Sequence, residues 1–301
     1  MNVLILGKGY IGFEVHNYFN NVRSDVNTFF LKKGPDNNAD GSIVQYDDEE
    51  TLYTYCLAHE IDTLINCSGY TGSPNVDGCE DNKEACFEAN VKLPVMIERV
   101  CKSLDIDFIH MSSGCIYDGY DKVYTEDDTP DFGIFDSRSS FYSKTKHMAE
   151  MMLDKNFTCI VRLRMPMDRY YAKSSSKNIL KKLINYDNLV DFANSKTDRY
   201  RLSEFIDTIR LNFKAGIYNA VHSNALTTRE VVKILKEYDL VNENWKFVPY
   251  DSLPLKCNRS NCVLSNEKAK RDFDFDWGDE ERYLRINASL MQKEKQWQTE
   301  K

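Results

Sequence analysis

The sequence predicts a doubly wound parallel α/β sheet with a smaller C-terminal domain, and three observations carry that prediction. Apolar strands alternate with helices through the first half of the chain, the pattern of repeated βαβ units. The first strand runs into Gly7-Lys8-Gly9-Tyr10-Ile11-Gly12 and then a helix, a turn whose glycines let the backbone approach a pyrophosphate at a helix N-terminus. Tyr142 stands four residues before Lys146 in a run free of Gly and Pro, so a helix would place both on one face.

The elements follow in order. Residues 2–6 form the first strand and 13–19 read as helix. Residues 25–31 are a second strand, ending in Lys32-Lys33-Gly34. An acidic residue at this place would hold ribose hydroxyls, whereas cations suit a 2′-phosphate. The Lys pair therefore points to NADPH, and it also suits a solvated turn. Residues 42–46 are a short strand followed by Asp47-Asp48. A helix over 49–59 leads to a strand over 62–67, and 68–75 is a turn-rich loop at that strand's carboxyl end, where ligand contacts gather in such sheets. A helix over 84–103 should bend or begin a new turn at Pro94. The strand over 107–111 delivers Ser112, Ser113 and Cys115 at its end. A long acidic loop spans 118–138, the helix over 139–154 carries Tyr142 and Lys146, and 158–163 is a further strand.

Beyond Arg164 the regularity breaks. Residues 173–178 lead flexibly into a helix over 179–185, and 189–192 suit an edge strand. A helix over 203–213 and a strand over 216–220 return to the main sheet. Thr227-Thr228-Arg229-Glu230 is a capping start for a helix over 229–238, and a last helix covers 280–298. The division is thus 1–163 for the dinucleotide domain and 164–301 for a smaller domain, with about 203–221 returning to the sheet.

Composition narrows the function. At 301 residues, 42% apolar and 29% charged, the chain suits a soluble globular protein. A net charge of −8 argues against a dedicated nucleic-acid or acidic-membrane binder. No apolar run approaches the ~20 residues of a membrane span. The start lacks a basic n-region, so it reads as a strand and not a signal peptide. Nine cysteines without C-x-x-C pairs fit free thiols in a reducing, cytoplasmic setting. The five histidines show no metal-ligand spacing.

Tyr142 is alone among 18 tyrosines in having a Lys four positions on. A fixed ammonium favours phenolate, so the expectation is a lowered phenol pKa and a Tyr able to protonate a carbonyl oxygen as it receives a hydride.

These motifs resemble the extended short-chain dehydrogenase/reductases. Asn66-Cys67-Ser68-Gly69-Tyr70-Thr71-Gly72-Ser73-Pro74-Asn75-Val76-Asp77, Gly114-Cys115-Ile116-Tyr117, Phe141-Tyr142-Ser143-Lys144-Thr145-Lys146, Arg162-Leu163-Arg164-Met165-Pro166 and Asn258-Arg259-Ser260-Asn261 are similar to the plant-type bifunctional UDP-4-keto-6-deoxy-glucose 3,5-epimerase/4-reductases, the UDP-L-rhamnose synthases. One departure is the first turn, a residue shorter than that family's usual G-x-x-G-x-x-G. The resemblance implies 3,5-epimerisation followed by NADPH-dependent reduction at C4. Tyr142 would give the proton, Ser113 would bond the same oxygen, and Lys146 would hold the nicotinamide ribose. Cys115 and Lys182 are nominated for proton exchange. NADPH would lie along Gly7, Gly9, Tyr10, Ile11, Gly12, Lys32, Lys33, Asp47, Cys67, Ser68 and Gly69. The UDP-sugar would meet Thr71, Asn75, Cys115, Tyr117, Arg164, Asn178, Lys182, Arg259 and Asn261. The family also implies a homodimer through the helices at 84–103 and 139–154. Two other readings stay open: a 4-reductase alone, on a UDP or dTDP sugar, and a non-catalytic NADP-binding subunit.

Overall fold

The computed structural model describes residues 1–32, 45–73, 75–172, 175–241 and 244–299. The first half runs β1 (Asn2–Leu6), α1 (Tyr10–Val22), β2 (Asn27–Leu31), α2 (Glu49–Ala58), β3 (Thr63–Asn66), α3 (Gly78–Asp81), α4 (Lys83–Phe87), α5 (Leu93–Leu104), β4 (Asp107–Ser113), β5 (Gly119–Tyr124), α6 (Phe141–Met152) and β6 (Cys159–Leu163). The rest runs β7 (Pro166–Met167), α7 (Ile179–Asn185), β8 (Asn188–Leu189), β9 (Thr197–Asp198), α8 (Arg199–Leu211), β10 (Gly216–Ala220), α9 (Thr228–Glu237), β11 (Lys246–Phe247), β12 (Cys262–Leu264), α10 (Glu267–Phe273) and α11 (Glu280–Thr299).

Six strands form one sheet in the order β10-β6-β4-β3-β1-β2, every pair parallel. Side chains alternate along each strand, so the two faces build separate cores. Val3, Ile5, Ile65, Ile109 and Val161 pack with Val15 and Phe19 of α1 and Leu202, Phe205 and Ile206 of α8. Leu4, Leu6, Leu64, Phe108 and Ile160 face the other way, onto Leu52 of α2 and Ile97 and Val100 of α5. Helices on both faces make the sheet doubly wound, as the sequence predicts. A third apolar cluster joins Leu180 and Leu183 of α7, Val231 and Leu235 of α9, and Leu284 and Met291 of α11.

Strand β1 lies between β2 and β3, so the winding reverses direction there. In open α/β sheets a ligand crevice forms at this reversal, outside the strands' carboxyl ends. The chain delivers Gly7, Cys67, Ser113 and Arg164 to that edge, each at or just past the end of β1, β3, β4 or β6.

Several local expectations need correction. The helix over 84–103 forms without a break, from Lys83 to Leu104, but a π-helical turn, Glu88–Lys92, lies between α4 and α5, and Pro94 follows it in the first turn of α5. The loop over 118–138 contains β5, which pairs in parallel with β12. The strand over 42–46 falls mostly outside the described residues, and Gln45 and Tyr46 belong to no strand. The edge strand near 189 is only β8, paired with β11 apart from the main sheet. The capping box does form, with Thr227 accepting from Glu230 N–H and the Glu230 carboxylate accepting from Thr227. Among the described residues no helix is long and apolar enough to cross a membrane.

Candidate active site

The glycine turn is shaped by contacts that only glycine permits. Gly7 has φ +96°, and a methyl group there would come within 2.6 Å of Ser68 N. A methyl on Gly12 would lie 2.1 Å from the Gly7 carbonyl oxygen. Gly9 is different: it is exposed, has open space where a Cβ would stand, and caps α1 without any side-chain hydrogen bond. The first amides of α1 are therefore not taken by a side chain, and the turn fits a pyrophosphate approaching a helix N-terminus. Tyr10 lies under the Arg199 guanidinium, 3.9 Å from ring centroid to Cζ, and Ile11 packs on the core. Lys32 follows β2 and is exposed, and Lys33 lies outside the described residues. Asp47 is exposed just before Asp48, which caps α2.

Across the reversal sits the loop after β3. Burial pushes the Cys67 thiol up to about 12. The Ser68 backbone N–H donates to Asn66 Oδ1 at 3.0 Å. A methyl on Gly69 would stand 3.6 Å from Lys146 Nζ, so this loop lies directly over the lysine.

Ser113 closes β4, its hydroxyl accepting from Cys115 N–H at 3.2 Å and standing close enough to the Tyr142 phenol to act on its ionisation. Helix α6 carries Tyr142 and, one turn on, Lys146, whose Nζ donates to the Met111 carbonyl at 3.1 Å. The expected lowering of the Tyr142 pKa does not occur. Burial raises it, the neighbouring Cys115 adds to the rise, and the Ser113 hydroxyl opposes it. Lys146 is a weakened cation: burial brings its own pKa down to about 8 against a usual 10.5. The phenol therefore keeps its proton at neutral pH, the form an acid needs for donation to a carbonyl oxygen.

A second group gathers beside this trio from other segments. The half-buried Cys115 accepts a hydrogen bond at 3.0 Å from Arg164 Nη1, and Arg164 Nη2 donates to Ser260 O at 2.8 Å. Lys182 on α7 lies within electrostatic reach of Cys115, Lys177 and Arg259. Burial lowers its pKa first, and the two cations lower it further. Arg259 pairs with Asp77 at 2.8 Å and reaches Asn75 Oδ1 at 3.4 Å. Asn261 Nδ2 donates to Arg259 O at 3.1 Å, and Thr71 Oγ1 accepts from Lys177 Nζ.

Two expected substrate residues are committed elsewhere. Tyr117 is fully buried, stacked on Tyr124 with its hydroxyl donating to Asp128 O at 2.8 Å and accepting from Arg162 at 2.9 Å. Asn178 is also fully buried: it caps α7 and donates to Asp168 Oδ1 at 2.9 Å. Both motifs lie next to the cleft in sequence, but the side chains turn into the fold.

Three supporting residues escaped the sequence reading. Asn90, in the π turn, accepts from Tyr70 N and donates to Tyr70 O, both at 2.8 Å, and donates to Thr145 Oγ1 at 3.1 Å. It thereby ties the loop after β3 to α6. Glu150, one turn beyond Lys146, accepts from Ser112 Oγ at 2.6 Å and from Arg162 Nη2 at 2.7 Å. Its spacing from Lys146 was a usable signal; nothing in the sequence marked Asn90. Lys177 escaped too, although it belongs to the same basic run as Lys182.

The RmlD substrate binding domain model matches residues 1–285. The chain is 30% identical over 222 residues to the bifunctional dTDP-4-dehydrorhamnose 3,5-epimerase/dTDP-4-dehydrorhamnose reductase of Arabidopsis thaliana, covering 70% of this chain and 71% of that protein. It is 29% identical to a trifunctional UDP-glucose 4,6-dehydratase/UDP-4-keto-6-deoxy-D-glucose 3,5-epimerase/UDP-4-keto-L-rhamnose-reductase of the same plant, over 70% of this chain but only 32% of that protein. The chain thus spans about a third of the trifunctional relatives' length. Among solved structures, a UDP-rhamnose synthase from Acanthamoeba polyphaga mimivirus superposes with a TM-score of 0.83 at 21% identity, covering 97% of this chain and 99% of that one. A dTDP-4-dehydrorhamnose reductase from Bacillus anthracis, solved with NADP, superposes with a TM-score of 0.76 at 16% identity, covering 95% and 97%. At these identities the superpositions speak for the fold.

Proposed function

Because the chain belongs to the RmlD substrate binding domain family, we propose that it is an NADPH-dependent 4-keto reductase of a nucleotide-linked 4-keto-6-deoxy sugar. We further propose that it first epimerises that sugar at C3 and C5, so that UDP-4-keto-6-deoxy-glucose leaves as UDP-L-rhamnose. The observation that carries the reduction is Ser113 at the end of β4 beside Tyr142, with Lys146 one turn on along α6, next to the glycine turn. On this reading residues 1–163 hold the cofactor and 164–301 supply most of the sugar-nucleotide contacts, in a homodimer.

Gly7, Gly9 and Gly12 would admit the pyrophosphate, Lys32 and Lys33 would favour a 2′-phosphate, and Lys146 would hold the nicotinamide ribose. NADPH, when bound, supplies the hydride for C4. Ser113 orients the C4 oxygen and Tyr142 gives it a proton. The Ser113 hydroxyl and Tyr142 phenol would both donate to that oxygen, so the carbonyl would be polarised before it is reduced.

Lys182, near Cys115 and depressed in pKa, supports the epimerase half. The 4-keto group acidifies the C3 and C5 hydrogens. Exchange there must precede reduction, which removes the ketone. A lysine with a lowered pKa gives up its proton more readily than an ordinary one, and Arg164 fixes the position of the Cys115 sulfur. The test is incubation with UDP-4-keto-6-deoxy-glucose and NADPH. The expected product is UDP-L-rhamnose. Reduction without inversion at C3 and C5 would leave the reductase alone, and no NADPH consumption with this sugar or its dTDP and pre-epimerised counterparts would overturn the assignment. Light scattering at micromolar concentration tests the dimer.

A further inference from the structure

A hydrogen-bond chain beneath the site ends on a residue the proposed chemistry does not use. His110 sits within β4 and is 1% exposed. Its Nδ1 lies 3.2 Å from the side-chain nitrogen of Asn66 on β3. The roles in that contact are fixed one step away. The Ser68 backbone N–H points at Asn66 Oδ1, and the Ser68 hydroxyl meets the same oxygen. A backbone N–H can only donate, so the atom it faces is the amide oxygen. The other terminus of Asn66 is then the NH2 group, which also only donates. His110 Nδ1 must accept, which leaves the ring proton on Nε2 and the imidazole neutral.

Ser68 in turn backs the glycine turn. Its N and Cα would stand 2.6 and 2.7 Å from a methyl group on Gly7. The sense of one side-chain amide thus sets the backbone against which the turn rests. Resting on the dinucleotide reading above, we infer that His110 is a positioning residue for the cofactor turn: its Nδ1 lone pair orients Asn66, and Asn66 fixes Ser68 against Gly7.

Two observations support this. Burial first, and then the adjacent Lys146 ammonium, hold the His110 pKa well below its ordinary value, so the accepting lone pair persists at pH 7. Its Nε2 is buried without a hydrogen-bond partner. A side chain chosen for packing alone would avoid that orphaned donor, and Phe would serve better.

The first test needs no cofactor. Nitrogen-15 NMR of histidine-labelled protein at pH 7, with His110 assigned by its absence in His110→Gln, should show an unprotonated Nδ1 and a protonated Nε2. An Nδ1–H tautomer or an imidazolium overturns the inference, whatever the protein binds. The second test is NADPH titration followed by fluorescence. His110→Phe should weaken binding about tenfold, the loss of about one hydrogen bond's ordering. His110→Gln keeps an acceptor oxygen and should restore affinity to within about threefold of wild type. Equal affinity in wild type and His110→Phe would overturn the inference. If wild type binds no NADPH, the dinucleotide reading fails, and the tautomer spectrum still decides whether Asn66 is held as described.

Discussion

The site has two halves built in different ways. Ser113, Tyr142 and Lys146 come from one strand of the six-stranded sheet and one helix packed on it. Glu150 clamps that helix to the sheet through Ser112 and through Arg162 on the next strand, all three buried. Cys115, Arg164, Lys182 and Arg259 come from four separate segments. Arg164 binds Cys115 and the Ser260 carbonyl, while the Arg259–Asp77 and Lys177–Thr71 contacts tie Arg259 and the lead-in to α7 to the loop after β3. A site within a buried sheet inherits its precision from the core, whereas one assembled across loops depends on how those loops settle, and such contacts open at lower free energy. Proton donation to a fixed carbonyl suits the first construction, and exchange at two carbons of one ring suits the second.

Separating the halves by mutation gives the largest expected effect. Tyr142→Phe should cut 4-keto reduction by about 10⁴-fold, the upper range for loss of a general acid. Deuterium uptake at C3 and C5 from D2O should continue. Reduction at the wild-type rate, followed by NADPH absorbance, would end the Tyr142 assignment. In the mirror experiment, Cys115→Ala or Lys182→Ala should slow deuterium uptake without NADPH by about 10³-fold. Either variant should still reduce a pre-epimerised 4-keto-rhamnose nucleotide. If mass spectrometry shows both variants exchanging as fast as wild type, the two-stage reading collapses to the reductase.

Stability should divide along the same line. Glu150→Ala leaves Arg162 buried and unpaired, which should cost about 3–5 kcal/mol in a urea melt. Breaking the Arg259–Asp77 pair, at 24% and 16% side-chain exposure, should cost about 1 kcal/mol or less. Equal losses would mean that the loops are as firmly built as the sheet. A smaller effect is pH-dependent. Lys146 titrates at about 8 in the folded protein against 10.5 ordinarily. Between those values the unfolded chain holds the extra proton, so raising the pH through this window favours the folded state, by about 3 kcal/mol on account of this lysine. Urea midpoints at pH 8 and pH 10, compared between wild type and Lys146→Met, isolate its share. An identical pH dependence in the two proteins would show that Lys146 is not desolvated as described.

The sheet-borne half was legible in the sequence because periodic patterns encode it. Gly7, Gly9 and Gly12 follow an apolar strand, Tyr142 and Lys146 keep helical spacing, and residues 216–220 became β10 as read. What stayed hidden depends on contacts between segments distant in the chain. Strand β5 is charged and exposed along most of its length, so no apolar pattern betrays it, and its pairing with β12 defines it. Tyr117 and Asn178 look like ligand residues by motif, yet their polar atoms found partners inside the fold. The direction of the Tyr142 shift turned on burial outweighing a neighbouring charge, which spacing alone does not reveal.

The π turn at Glu88–Lys92 has a consequence for how the chain tolerates change in length. A π turn accommodates one residue more than an α-helical path of the same rise. That extra residue lets Asn90 face Tyr70 and Thr145 while Ile97, Val100 and Cys101 of α5 still face the sheet. Each residue along a helix advances the direction of side chains by about 100°. Excising any of the four residues beside Asn90 in this turn would therefore force a choice that no single substitution imposes. Either the amide swings away from the loop it fastens, or the apolar stripe of α5 rotates off the sheet.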